Sequence, residues 1–330
     1  MTDIRVRGTD ASVPPTGAGA RSDDRAPAGR RRRSTTRTFG FPWILPALVV
    51  SSGLVYFCIG YNSWVSLLDW NGISPIQRFI GLDNYLRALS DPIFWGTLQH
   101  TLIYFVVTFV VQSVLGIALA VLLHSRIRLS GLFKVIIFIP VVLAPAIMAP
   151  VFRILFAGDG PINEFLRAVG LGFIAQPWLA QSSTALGALI IMQIWNTTGI
   201  SFILYYAAIS QVETDVIEAA RLDGAGNIRI VWSIIIPSIR GTIVALAMLS
   251  AIGTLKLFDI PYLVTAGGPN FSTEFLGTYI YRQAVPLGDV GYASALSIIL
   301  LVLALGMAIL LSLRSNEERQ AKTKTKKGIR

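Results

Sequence analysis

The sequence has 330 residues, of which 53% are hydrophobic and only 14% charged, and its mean hydropathy is +0.62. A water-soluble domain needs more charge than this to cover its surface, so the composition excludes an ordinary soluble globule. The formal charge of +10 sits at the chain ends and in two loops with no basic–aromatic module beside it, which excludes a nucleic-acid role and reads as a membrane-orientation signal.

Residues 1–38 are rich in Gly, Pro, Ala, Thr and Arg, carry a run at Arg30–Arg33 and lack a hydrophobic period. They are expected to form a disordered basic tail. Their length, and the lack of a small-x-small site after the first apolar block, argue against a cleaved signal peptide. Six apolar blocks follow at 41–67, 97–123, 134–157, 184–206, 240–263 and 291–313, each near the ~20 residues that a membrane helix requires. Residues 39–314 then form one membrane domain, and residues 315–330 a second basic tail.

Charge sets the expected orientation. With both ends in the cytoplasm, the inner segments hold most of the 28 basic residues, including Arg126, Arg128, Arg221 and Arg229 between spans and Lys134 and Arg240 at the inner edges of spans. The opposite loops hold Arg78, Arg87, Arg167 and Arg282, and the spans hold Arg153 and Lys256. Such a bias predicts an N-in, C-in chain with an even number of crossings. The expected fold is therefore all-α: a polytopic membrane protein with six transmembrane helices.

The outer loops 68–96, 158–183 and 264–290 mix turn residues with short amphipathic pieces, and Trp70, Trp95, Trp178 and Tyr281 stand where interfacial aromatics anchor helices. No fixed-period repeat and no inverted pair of broken helices is visible. Cys58 is alone, and His100 and His124 lie at opposite ends of one span, so no disulfide, metal site or cofactor is expected. No G-x-x-x-x-G-K-[ST] sequence occurs to cradle a nucleotide, and no Ser/His/Asp or Cys/His set shares a membrane face. The chain reads as a non-catalyst.

Residues 213–237 are a polar, helix-breaking island between spans 4 and 5. Val212, Val216, Ile217, Ala219 and Ala220 recur at helical spacing, with Glu213, Asp215 and Glu218 among them. Leu222-Asp223-Gly224 reads as a helix stop with Gly224 in the left-handed cap position. A second helical run, Asn227 to Ile236, is expected to end at Pro237.

This island resembles the conserved cytoplasmic loop of permease subunits in binding-protein-dependent ABC importers, which carry E-A-A, then an Asp-Gly-Ala turn and a later Pro. The matching residues are Glu218, Ala219, Ala220, Asp223, Gly224, Ala225 and Pro237; Gly241 departs from the family's frequent second Pro. Gly81-Leu82-Asp83-Asn84-Tyr85 resembles the first outer loop of the carbohydrate-uptake (maltose-type) branch. Phe258-Asp259, Thr265-Ala266-Gly267-Gly268-Pro269, Thr273-Glu274 and Tyr279-Ile280-Tyr281-Arg282 resemble its fifth span and last outer loop. The likeness covers residues 41–313.

The resemblance implies one permease subunit of an ATP-driven sugar importer in a bacterial cytoplasmic membrane. It implies as partners a second, unlike permease, a cytoplasmic ATPase dimer and an extracytoplasmic solute-binding protein. It also implies that Glu218, Ala219, Ala220, Asp223 and Gly224 form a coupling helix docked on the ATPase. The alternative for this helix is to rest on lipid headgroups, but its three acids would repel an anionic leaflet.

Polar groups inside a bilayer are costly and mark candidate path-lining residues. Gln193, Asn196 and Thr197 in span 4 are spaced i, i+3, i+4 and are expected on one helix face beside Trp195. They read either as a sugar-contacting face or as interhelical hydrogen bonds worth ~0.6 kcal/mol each. Span 5 is interrupted at Gly253, Lys256, Asp259 and Pro261. Either Gly253, Lys256 and Asp259 border the path, Lys256 and Asp259 pairing at i, i+3, or Lys256 snorkels outward and the pair is structural. Rival readings are import of glycerol phosphate or a polyol within the same family, an ion-coupled secondary transporter, and a membrane scaffold.

Overall fold

The computed structural model describes residues 41–124 and 129–327, with side chains described over 44–124 and 129–310. The expected tail at 1–38 and the loop residues Arg126 and Arg128 lie outside the described residues. The chain divides into two units, residues 1–53 and 54–330. The described part of the first is the N-terminal half of helix α1 (Phe41–Val65), in which Ser51 Oγ donates back to Ala47 O at 2.7 Å.

Among the described residues, the regular structure of the second unit is helical apart from one antiparallel pair, β1 (Leu68–Asp69) with β2 (Arg78–Phe79). After α2 (Asp83–Ser90) comes α3 (Pro92–His124), 33 residues long and thus about 50 Å. Its buried residues, Phe94, Thr97, Thr101, Tyr104, Thr108, Gln112, Gly116, Ala120 and Leu123, recur every three or four positions and form one stripe. The stripe is half polar, whereas Leu102, Val106, Val110 and Val114 on other faces are exposed. This is a membrane helix turned inside out relative to a soluble one, because lipid tails solvate apolar side chains.

Helix α7 (Ala185–Ile209) packs along α3 more extensively than any other element does. The contact is close at Gly116, where a Cβ would lie 3.2 Å from both Phe202 N and Ser201 C. Small residues let two backbones meet in this way. Ala120 and Leu123 near the C-terminal end of α3 share a cluster with Phe202, Tyr205 and Ile209. Phe94 at its N-terminal end belongs to another, with Leu276, Tyr279, Tyr292 and Leu296.

The third apolar block is not one rod. It forms α4 (Ser130–Val142) and α5 (Pro145–Leu155), bent by 95°. The residue before a proline is pushed out of the helical region, and Ala144 accordingly adopts φ −66, ψ 142 ahead of Pro145. Helix α6 (Pro161–Ala168) follows, and then α7 leads to α8 (Thr214–Leu222) and α9 (Asn227–Ile230).

The run after Asn227 passes the position where the sequence places its end. Val231–Ile235 widens into a π-helix, α10 (Ile236–Ser238) contains Pro237, and the break comes at Ile239. Widening the ladder accommodates a proline that lacks an N–H. The segment Asn227–Ser238 meets α11 (Arg240–Leu255) at 68°. The interruption expected around Gly253–Pro261 is present between Leu255 and α12 (Asp259–Thr265). Helices α13 (Leu276–Ala284) and α14 (Val290–Lys327) complete the chain, α14 running well past residue 313. Four described helices are long and apolar enough to cross a membrane, or up to six if each bent pair counts as one span.

Candidate functional site

Three constructions stand along the unit, one at each end of α3 and one between. At the His124 end, α8 is a stopped amphipathic helix. Gly224 takes φ +81, its N–H donates to Arg221 O at 3.0 Å, and Ala225 N–H donates to Ala220 O at 2.9 Å. This is the double bond pattern that closes a helix with a left-handed glycine. Val212, Ile217, Ala220 and Ala225 pack inward against the cluster of Ala120, Leu123, Phe202 and Tyr205. Glu213, Asp215, Glu218, Ala219, Asp223 and Gly224 are exposed. The apolar side chains of Leu222, Ile228 and Trp232 are also uncovered, at 90, 78 and 69%. The exposed apolar side chains thus stand beside an acidic rim.

In the middle, α3, α7 and α11 line an open-sided pocket of about 310 Å³. Tyr104, Thr108 and Gln112 reach it from α3, Gln193, Thr197 and Ser201 from α7, and Ser250, Gly253 and Thr254 from α11; no charged residue lines it. Gln112 Nε2 donates to Thr197 Oγ1 at 2.6 Å and to Gln193 O at 3.3 Å. Gln193 Nε2 reaches the same hydroxyl at 3.3 Å. Tyr104 is 1% exposed, and its hydroxyl lies buried without a hydrogen-bond partner. A buried hydroxyl without a protein partner costs stability.

The expected path residues thus separate. Gln193, Thr197 and Gly253 come together on this pocket. Asn196 does not share their face: it is buried and donates to Pro140 O at 2.6 Å. Successive residues lie 100° apart around a helix, so Asn196 and Thr197 point to opposite sides of the pocket's edge. Lys256 and Asp259 flank the break after α11, are exposed and line none of the pocket. The described residues contain two ion pairs, Arg87–Asp289 and Arg282–Glu274, so the expected Lys256–Asp259 pair does not form. Sequence reading passed over Tyr104, Thr108 and Gln112. Their signal is present in the sequence, as polar groups at every fourth position of the otherwise apolar stretch 102–112.

At the Pro92 end, the quoted loop motifs fold into two knots. Thr265 Oγ1 and Thr273 Oγ1 are hydrogen-bonded at 2.7 Å, and Thr273 Oγ1 donates to Gly268 O at 2.6 Å. Arg282 Nη2 donates to Ala266 O at 2.8 Å and to Glu274 Oε2 at 2.6 Å. Glu274 is 1% exposed; burial pushes its carboxyl above the ordinary value, and Thr278 and Arg282 only partly oppose this. In the second knot, Asp91 accepts hydrogen bonds from the Tyr279 and Tyr292 hydroxyls. Burial pushes the Asp91 carboxyl up, but these bonds and the N–H groups of Ile93 and Phe94 outweigh it and hold it below the ordinary value. Asn84 of the first outer motif is buried and donates to Ser66 O and Leu68 O, both at 3.0 Å.

A family model described as "Binding-protein-dependent transport system inner membrane component" matches residues 112–320. Curated relatives include the probable ABC transporter permease protein YurN of Bacillus subtilis, 32% identical over 81% of this chain and 92% of its own length. The lactose transport system permease protein LacF of Rhizobium radiobacter is 32% identical over 82% of this chain and 92% of its own. The trehalose/maltose transport system permease protein MalF of Thermococcus litoralis is 30% identical over 82 and 91%. Among solved structures, a chain of a bacterial ABC transporter that imports alginate shares the fold, with a TM-score of 0.69, 22% identity and coverage of 84% of this chain and 97% of that one.

Proposed function

The chain belongs to the family of binding-protein-dependent transport system inner membrane components, and from that premise we propose that it is one permease subunit of an ATP-driven sugar importer. As a member it is a multi-pass membrane protein and a transport component rather than an enzyme. The observation that carries the proposal is the stopped helix Thr214–Leu222, with Glu218, Ala219, Asp223 and Gly224 exposed on a surface whose other side is anchored in the α3–α7 core.

In this reading the elbow faces the cytoplasm and a separate ATPase dimer grips it. Glu218 pairs with a basic group there, Ala219 admits close approach, and Asp223 and Gly224 supply the turn, whereas Ala220, expected on the same surface, packs inward and anchors the helix to the core. The bends at Ala144 and Ile239 bring the crossings to six, with N-in, C-in topology in agreement with the distribution of Lys and Arg. The knots at the Pro92 end face a solute-binding protein, and an unlike permease supplies the other wall of the path.

The pocket between α3, α7 and α11 borders that path through Gln193, Thr197 and Gly253, joined by Tyr104, Thr108 and Gln112. Amides and hydroxyls without a charged group suit a neutral polyhydroxylated ligand. The sugar names carried by relatives such as the lactose and trehalose/maltose permeases point the same way. A phosphorylated ligand would call for cations in the lining, which holds none. The test is uptake of labelled sugars into vesicles containing the full complex: import is expected only with both ATP and the binding protein. Import driven by an ion gradient without ATP would refute the reading.

A further inference from the structure

We propose that Asn196 is a positioning residue that locks the bent third span to α7, so that movement of the pocket wall is carried into α4 and α5. This rests on the importer reading above. Where Pro145 interrupts the helix, the last carbonyls of α4 lose their i+4 donors, and Pro140 O keeps one backbone donor, the Leu143 N–H at 3.2 Å. The Asn196 side chain enters at that point: Nδ2 donates to Pro140 O at 2.6 Å and lies 3.2 Å from Met148 Sδ. Pro140 belongs to α4 and Met148 to α5, so one amide touches both arms of the 95° bend.

Two further observations point the same way. One turn along α7, a Cβ on Gly199 would come within 2.6 Å of Ile137 O and 3.2 Å of Phe138 Cα, so α7 and α4 meet backbone to backbone beside the amide. The next residue, Thr197, receives the Gln112 hydrogen bond inside the pocket. Pocket contact and bend contact thus occupy adjacent residues of one rigid helix. Rotation of α7 at Thr197 therefore pulls on Pro140 and Met148 through the Asn196 amide.

The test uses the full importer in nanodiscs, in a Cys58→Ser background. Spin labels are placed at Val135 on α4 and Val151 on α5, both exposed, and the distance between them is measured alongside sugar transported per ATP hydrolysed. Asn196→Leu keeps the volume and removes the donor; Asn196→Ser is the smaller alternative should the first variant fail to insert. Removing the shorter of the two hydrogen bonds on Pro140 O shifts an equilibrium by about fivefold. The expected result is a broadened label distance and a fall of about that size in transport per ATP, with half-saturation by loaded binding protein unchanged. A label distance and transport-to-ATP ratio equal to wild type would overturn the proposal, as would equal losses of transport and ATP hydrolysis that track folded protein. Failure of the wild-type complex to take up sugar with ATP would sink the importer reading instead, while the label distance still decides whether Asn196 holds the bend.

Discussion

Arg282 Nη2 and Glu274 Oε2 are joined at 2.6 Å in a space that exists because residue 267 is glycine: a Cβ there would lie 2.0 Å from Glu274 Oε2 and 2.8 Å from Arg282 Nη2. Gly267 also takes φ +83, a conformation that side chains disfavour. Strain of this kind costs about 1–3 kcal/mol, and a displaced buried ion pair adds to it. Gly267→Ala is therefore expected to lower the thermal unfolding temperature of the detergent-solubilised subunit. An unchanged transition would show that the knot can relax around the methyl group.

The elbow predicts a split between presence and performance. Glu218→Lys leaves an exposed position folded but reverses its charge, while Gly224→Pro imposes a negative φ where +81 is required. Both variants should reach the membrane at normal abundance, lose sugar uptake and co-purify with less ATPase. Normal uptake in both would remove the coupling role.

Tyr104→Phe deletes a buried hydroxyl that has no partner. Relief of an unsatisfied group is worth about 1–3 kcal/mol, so the variant should be at least as stable as wild type. If the hydroxyl meets sugar, uptake should nonetheless weaken through a higher half-saturating concentration. Thr197→Val is expected to lower uptake in the same way. Equal uptake in wild type and both variants would place the path elsewhere.

Lys256 and Asp259 stand outside the pocket and unpaired, so Lys256→Ala and Asp259→Asn should alter uptake less than Thr197→Val does. Vesicle transport with the three variants side by side checks the ranking. A larger loss at either charged position would restore it to the path lining.

The Asp91 knot carries a pH signature. Its carboxyl lies below the ordinary value of 3.8 in the folded chain, so the ionised form is favoured by folding. Its stabilising contribution is complete above that value and is lost as pH falls through the lower, folded one. Hydrogen exchange of the α13 amides should therefore accelerate at strongly acidic pH, and Asp91→Asn should abolish that dependence. An identical acid response in the variant would assign it to another group.

Much of this was legible in the chain, and the failures share a cause. Gly224, Asp223 and the acidic face of the elbow were readable because a helix stop depends on a few adjacent residues. Breaks at Pro145 and after Leu255 leave local marks too, yet hydropathy counts apolar residues without recording direction, so the block 134–157 carries no sign of a 95° bend. Asn196 was misplaced because i, i+3, i+4 spacing covers about 100° of arc, and a pocket edge can fall inside that arc. The pairing of Glu274 with Arg282, and of Asp91 with Tyr279 and Tyr292, joins residues whose proximity no local pattern encodes.

Helix α3 carries no proline beyond its first residue and runs unbroken for 33 residues, about 50 Å of rod against a hydrocarbon slab of roughly 30 Å. Some 20 Å of it must therefore either lean or protrude. Where it protrudes, its two extremities meet headgroups and water, while Tyr104 and Gln112 stay buried on the pocket at mid-helix. A single stiff spar thus samples three dielectric worlds, and thinning or thickening the surrounding bilayer should retune the whole machine through its inclination.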